Sequence, residues 1–245
     1  MVPAVLNTVM QRIYGVFAGL TFAAVIVPTI ILLAIVPGLH NRRALVKKSA
    51  TLIFFVTGVT PRVTGHENLP TERCVVVANH ASYLDGIILT AVLPPRFTFV
   101  IKREITRVPF AGFLLRRVGS QFVERFDHQR SARDARRIMQ ISASGPSLAF
   151  FPEGTFRREP GLQRFRSGAF AVAKRSNLQL VPVIIRGSRD ILPARQLLPR
   201  PGTLEVIIKP AVGPDHADAS TGNLLNACRD SILEDLHEPD TRHGS

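Results

Sequence analysis

The chain has 245 residues, 46% of them hydrophobic, with 31 Lys and Arg against 18 Asp and Glu, a formal net charge of +13. That length supports one substantial core with an appended segment, and the charge points to a polyanion: nucleic acid, an anionic membrane surface or phosphorylated ligands. The absence of Trp and the presence of only two Tyr argue against stacking on single-stranded nucleic acid, and two distant cysteines, Cys74 and Cys228, exclude a disulfide framework or a zinc site.

Residues 13–37, IYGVFAGLTFAAVIVPTIILLAIVP, carry no charge. As a helix they are long enough to cross a hydrocarbon core of about 30 Å. Arg12 precedes them, and Arg42, Arg43, Lys47 and Lys48 follow, which puts the following side in the cytoplasm under the positive-inside rule. The run is too long for a signal peptide, and no small-residue cleavage site precedes the basic cluster. A second stretch at 50–59, ATLIFFVTGV, is too short to span and reads as an interfacial helix paired with the first. Pro28 also allows a kinked hairpin that dips into one leaflet.

After Pro61 short apolar runs alternate with longer mixed segments. Strands are predicted at 73–78, 97–101, 119–123, 147–151, 180–186 and 203–209, from β-branched and aromatic content next to Gly or Pro. Helices are predicted at 84–93, 109–117, 128–144, 167–176 and 221–236. The alternation implies an α/β fold, a mixed, largely parallel sheet flanked by helices, with ligand chemistry at the carboxyl ends of the strands. The expected organisation is a membrane-associated helical segment over 1–60, a globular domain over 61–236 and a disordered polar tail, HEPDTRHGS, over 237–245.

Four polar constellations interrupt these elements. The first is ANHASYLDG at 78–86, after the apolar run CVVV. On a straight helix His80 and Asp85 would sit roughly 140° apart. They can meet if His80 precedes the helix and Asp85 lies in its first turn, with Ser82 as N-cap. Such a contact would fix the imidazole tautomer and leave its other nitrogen as a general base. The second is AFFPEGTFRREPGLQRFRSGAF at 149–170, where a strand runs into a Pro-Glu-Gly turn crowded by Arg157, Arg158, Arg164 and Arg166; Gly154 lets a ligand approach the backbone closely. The third, GSQFVERFD at 119–127, puts Arg125 at a strand end, where a guanidinium suits phosphate. The fourth, LVPVIIRG at 180–187, carries Pro182 inside an apolar strand, which fits an edge, a bulge or the wall of a site as well as a plain core strand.

The ordered set Asn79-His80-x4-Asp85, Gly119-x-x-Phe122-Val123-x-Arg125, Phe151-Pro152-Glu153-Gly154-Thr155 and Val181-Pro182-Val183 resembles the four-block signature of the glycerolipid acyltransferases, of the bacterial 1-acylglycerol-3-phosphate type. Lys102 with Val108-Pro109-Phe110-x-Gly112, and Phe165-Arg166-x-Gly168-Ala169-Phe170, match the stretches usual between the blocks, and hydrophobic N-terminal helices are usual too. The resemblance covers roughly residues 60–210 and makes 61–236 the catalytic domain. It implies transfer of a fatty acyl group to the free hydroxyl of a lyso-phospholipid, with His80 as general base and Asp85 as its partner. It assigns Asn79, Lys102, Arg125, Glu153, Gly154, Thr155 and Arg157 to substrate binding. It implies no metal and no cofactor, acyl-CoA or acyl-carrier protein as co-substrate, a membrane lipid as acceptor, no nucleic acid, and the cytoplasmic side of a bacterial inner membrane. Two positions depart from the pattern: Phe156 stands where an arginine is common, and Glu124 where aspartate is common. The first opens the acceptor to another lyso-lipid, such as lyso-ornithine lipid. A basic membrane-surface binding protein without catalysis would also explain the charge and the anchor, but not these motifs in this order.

Overall fold

The computed structural model describes residues 2–124, 134, 136–141, 145–213 and 220–242, with side chains from Thr8 onward. Two long helices open the chain, α1 (Val2–Ile35) and α2 (Leu39–Thr57). There follow β1 (Arg62–Thr64), β2 (Cys74–Ala78), α3 (Asp85–Val92), β3 (Phe97–Lys102), α4 (Ala111–Arg117) and β4 (Gln121–Val123). The chain continues through β5 (Ser147–Phe150), α5 (Gly168–Arg175), β6 (Gln179–Arg186), the short α6 (Ser188–Ile191), β7 (Glu205–Ile208) and α7 (Thr221–Leu236).

The seven strands form one sheet in the order β1-β7-β6-β2-β5-β3-β4. Every neighbouring pair is parallel except β6 and β7, as predicted for a mixed, largely parallel sheet. β2 lies at its centre and is buried along its whole length. Cys74, Val76 and Ala78 face one layer with Phe54 of α2 and Ile88 and Leu89 of α3. Val75 and Val77 face the other, with Phe170 of α5 and Leu224, Cys228 and Ile232 of α7. A strand covered on both faces has no polar alternation to show, which is why CVVVA reads as an unbroken apolar run.

Pro182 sits in an interior strand, paired with Val77 of β2. Its carbonyl accepts the Lys209 N–H at 3.0 Å, and the β6–β7 ladder begins one residue later, at Val183. The missing proline N–H therefore falls where β7 is ending, and this resolves the anomaly of a proline in a central strand.

The α1–α2 pair packs onto the rest of the molecule through its polar atoms. Arg43 donates to the Val118 carbonyl (2.9 Å) and to the Thr98 hydroxyl. Lys47 caps α3 by donating to the Val92 and Leu93 carbonyls, both at 2.9 Å. From the other side, Arg117 of α4 donates to the last carbonyls of α1, those of Leu33 (2.8 Å) and Ala34 (2.9 Å). Cations at helix C-termini satisfy orphan carbonyls and the dipole together. Within the N-terminal half of α1, Leu198 and Pro199 press on Gly15, where an added Cβ would come within 2.9 Å of Leu198 Cβ. Tyr14 also donates to the Thr57 carbonyl at 3.1 Å.

Two observations depart from the expectations. β1 has only three residues and pairs solely with β7, too short for a pattern of its own. The expected disordered tail is ordered as far as Arg242: Leu162 and Asp240 form a parallel bridge, because Arg229 and Arg189 supply charge for Asp240 and Glu238. Of the helix expected over 128–144, residues 134 and 136–141 are helical; 128–133, 135 and 142–144 lie outside the described residues, as does Arg125.

Candidate active site

β2 ends at Ala78, and the next residue extends the sheet with its side chain. Asn79 Nδ2 donates to the Ile185 carbonyl (2.9 Å), and its Oδ1 accepts the Ile185 N–H (2.7 Å). At 3% exposure, with its Nδ2 and Oδ1 both bonded to Ile185, Asn79 stitches the end of β2 to β6.

His80 follows, before the helix, and Asp85 is the first residue of α3. Asp85 Oδ2 lies 2.8 Å from His80 Nδ1 and accepts the N–H groups of Ala81 (2.6 Å) and Ser82 (2.8 Å). Ser82 Oγ accepts the Leu84 N–H (3.2 Å) and donates to the Leu192 carbonyl (2.8 Å), so the turn is closed from both directions in the manner of a capping box. Asp85 is fully buried. An ionised carboxylate only accepts, so Nδ1 carries the ring proton and Nε2 keeps its lone pair. The imidazole stacks on Phe151, with centroids 4.3 Å apart and planes at 20°, and meets the edge of Phe156 at 4.7 Å. Tyr83 meets Phe156 in turn at 4.7 Å and 87°.

Glu153 comes from the end of β5, the neighbour of β2. Its Oε1 accepts the His80 N–H (2.6 Å) and its Oε2 the Gln163 N–H (2.8 Å). The carboxylate is 5% exposed and faces backbone donors. It holds the His80 turn to the loop beyond β5. Gly154, at φ 78, makes the tight turn; its N–H donates to the Phe151 carbonyl at 3.0 Å.

Burial pushes the Glu153 carboxyl up from 4.5 to about 8, against the Gln163 and His80 N–H groups; Asp85 adds to the rise and Arg229 opposes it. The folded chain keeps this proton up to about pH 8, whereas the unfolded chain releases it near 4.5. Folding stability from this group therefore falls as pH rises through that window. The melting midpoint is expected to drop between about pH 5 and 8, and to drop less in Glu153→Gln. Equal slopes in thermal melts of the two proteins would remove Glu153 as the cause.

The exposed edge of His80 opens onto a cavity of about 850 Å³. Tyr83, Phe151, Thr155 and Phe156 line it, as do Phe22, Ile26 and Ile30 of α1. Lys102, at the end of β3, also lines it. Arg157 is exposed and lies outside the cavity wall. The structure thus brings together His80, Asp85, Glu153, Gly154, Thr155 and Lys102. Sequence reasoning missed Gln163, which braces Glu153, and Arg229, buried behind it. Arg229 had a legible signal: it falls on the stripe Leu225, Arg229, Ile232, Leu236 at helical spacing, a charge in an apolar face.

The site is a histidine–aspartate turn at the carboxyl end of the central strand of an α/β fold, beside an apolar chamber lined in part by α1. Residues 60–186 match the family described as Acyltransferase, and the chain belongs to that family. It is 32% identical over 177 residues to the Arabidopsis thaliana chloroplastic 1-acyl-sn-glycerol-3-phosphate acyltransferase LPAT1, covering 71% of this chain and 48% of the relative. It is 27% identical over 185 residues to the Saccharomyces cerevisiae 1-acyl-sn-glycerol-3-phosphate acyltransferase, covering 74% and 61%. It is 32% identical over 182 residues to the Pseudomonas aeruginosa lyso-ornithine lipid O-acyltransferase, covering 73% and 62%. The chain spans about half the length of the plant and algal relatives it matches. The fold is that of the Thermotoga maritima 1-acyl-sn-glycerophosphate acyltransferase PlsC, with a TM-score of 0.77 over 92% of this chain and 96% of that one at 20% identity.

Proposed function

We propose that this protein transfers a fatty acyl group from the thioester of acyl-CoA or acyl-carrier protein to the free hydroxyl of a lyso-phospholipid, 1-acylglycerol-3-phosphate foremost, giving phosphatidic acid. The observation that carries this reading is the His80–Asp85 pair opening onto the 850 Å³ apolar cavity, a size that suits one lipid-like ligand. His80 Nε2 takes the proton of the acceptor hydroxyl as its oxygen attacks the thioester carbonyl. Collapse of the tetrahedral adduct breaks the C–S bond, and the imidazolium returns the proton to the leaving sulfur. Asp85 holds the ring through Nδ1 and stabilises the imidazolium. Lys102, Thr155, Arg125 and Arg157 are the groups proposed for phosphates of acceptor or donor. Neither a metal nor a cofactor enters this scheme.

A second acceptor, a lyso-ornithine lipid, has its own support: Phe156 stands against His80 where the motif usually carries a cation, and a relative of that name is 32% identical. An acceptor screen with purified protein in lipid vesicles decides between them. Acylation of lysophosphatidic acid alone supports the first reading and acylation of lyso-ornithine lipid alone the second; transfer to neither would sink both.

The chain is membrane-associated: Thr8–Ile35 is long and apolar enough to cross a membrane, with a mean hydropathy of 2.5. The proposed site is the cytoplasmic side of a bacterial inner membrane. Contacts at Gly15 and at Leu33 hold two points of α1, some 27 Å apart at 1.5 Å per residue, to one body, which supports a helix whose N-terminal end stays on the side of the globular domain. A protease-sensitive N-terminal tag should then be cut from the side that carries activity; cutting from the opposite side only would make α1 a full span.

A further inference from the structure

Arg229 belongs to none of the motifs, yet it is 1% exposed. Its Nη1 donates to the Gln163 carbonyl, and its Nη2 to the Leu162 carbonyl (2.7 Å) and to Asp240 Oδ1. Its guanidinium lies 5.0 Å over the Phe165 ring. A buried cation tied to two carbonyls of one loop fixes the course of that loop.

The residues after α7 complete the clamp. Leu162 donates to the Pro239 carbonyl (2.9 Å) and accepts the Thr241 N–H (3.1 Å). Gly161 donates to Glu238 Oε2 (2.6 Å). A Cβ on Gly161 would come within 2.4 Å of Thr241 Cγ2, so the strap lies directly on the loop. Arg189 grips Glu238 with Nε (3.0 Å) and Nη2 (2.9 Å). Its remaining Nη1 donates to the carbonyls of Arg157, Arg158 and Glu159 at 2.7, 3.3 and 3.0 Å.

We infer that residues 237–241, with Arg189 and Arg229, are a positioning strap for the active site. They clamp the 157–163 loop so that the Gln163 N–H meets Glu153 and Glu153 meets the His80 N–H. The same clamp sets the path of Thr155 and Phe156 along the cavity; Gln163 Nε2 donates to the Thr155 carbonyl at 3.3 Å. The strap therefore governs the histidine side of the site, and it does so without touching substrate. The inference rests on acyl transfer through His80.

Glu238→Ala removes the Arg189 fork and the acceptor of the Gly161 N–H and leaves the Arg229 contacts alone. It is expected to lower kcat, and with it kcat/KM for the acceptor, about tenfold, within the ~100-fold that a 1 Å misplacement costs, with the KM values and the melting midpoint near wild type. Hydrogen exchange should speed up at the Gly161 and Gln163 amides of the same protein. Arg229→Ala endangers the fold itself, so Arg229→Lys is measured beside it. Lysine keeps the charge and three N–H donors but not the planar fork, and it should recover part of the acceptor kcat/KM. Wild-type acceptor kcat/KM in Glu238→Ala despite faster exchange at Gly161 and Gln163 would overturn the inference. So would a loss carried by raised KM values with kcat at the wild-type level, or one that follows the melting midpoint alone. Failure of the acyl-transfer reading is separable: His80→Ala would then turn over at the wild-type rate, whatever the strap variants do.

Discussion

His80→Ala is expected to lower acyl transfer by about 10²–10⁴-fold, the usual contribution of a positioned general base, while the protein stays folded. The ring donates no hydrogen bond that the fold depends on. Its Nδ1 meets an Asp85 oxygen that already accepts two backbone N–H groups, and the backbone N–H that Glu153 needs survives the substitution. What is lost is the stack on Phe151 and the edge contact with Phe156, on the order of 1 kcal/mol. Transfer of labelled acyl groups, beside a thermal melt, separates the two effects. Near wild-type turnover by the folded variant would remove His80 as the base.

Asp85→Ala is expected to do more damage, because it acts on fold and chemistry together. It leaves the buried N–H groups of Ala81 and Ser82 without their acceptor, at about 1–3 kcal/mol each, and it frees the His80 ring. Activity should fall at least as far as in His80→Ala, with a visibly lower melting midpoint. Asp85→Asn refines the result. The carboxamide keeps the shape and one acceptor oxygen, so most of the stability should return, whereas the charge that supports an imidazolium is gone. A loss of about 10²–10⁴-fold in kcat is expected to persist. Full recovery of kcat in Asp85→Asn would show that the carboxylate serves the turn and not the proton transfer.

The elements were legible in proportion to how far their patterns depend on local packing. β2 could be recognised because a strand buried on both faces leaves an apolar run with no period, and the His80–Asp85 contact could be inferred because six residues and one helix start contain it. Roles that run through a remote backbone left no such trace. Asn79 and Glu153 look like substrate ligands in the sequence. Their partners, the backbone groups of Ile185 and Gln163, carry no side-chain signal to reveal them. The tail misled for a related reason: HEPDTRHGS is polar, yet Glu238 and Asp240 are matched by Arg189 and Arg229, which lie 49 and 11 positions away in the sequence. β1 was invisible because three residues borrow their geometry from β7.

Ile26 and Ile30 belong to α1, yet they line the cavity beside His80, while Ile13, Leu20 and Ile35 of the same helix are exposed. One face of a lipid-facing helix is thus a wall of the binding chamber. If that chamber holds the acyl chain, extraction is not chemically neutral: detergent tails that load the outer face of α1 press on the inner one. Apparent chain-length preference would then shift with the solubilising agent, and bilayer nanodiscs become the reference state for any comparison of substrates.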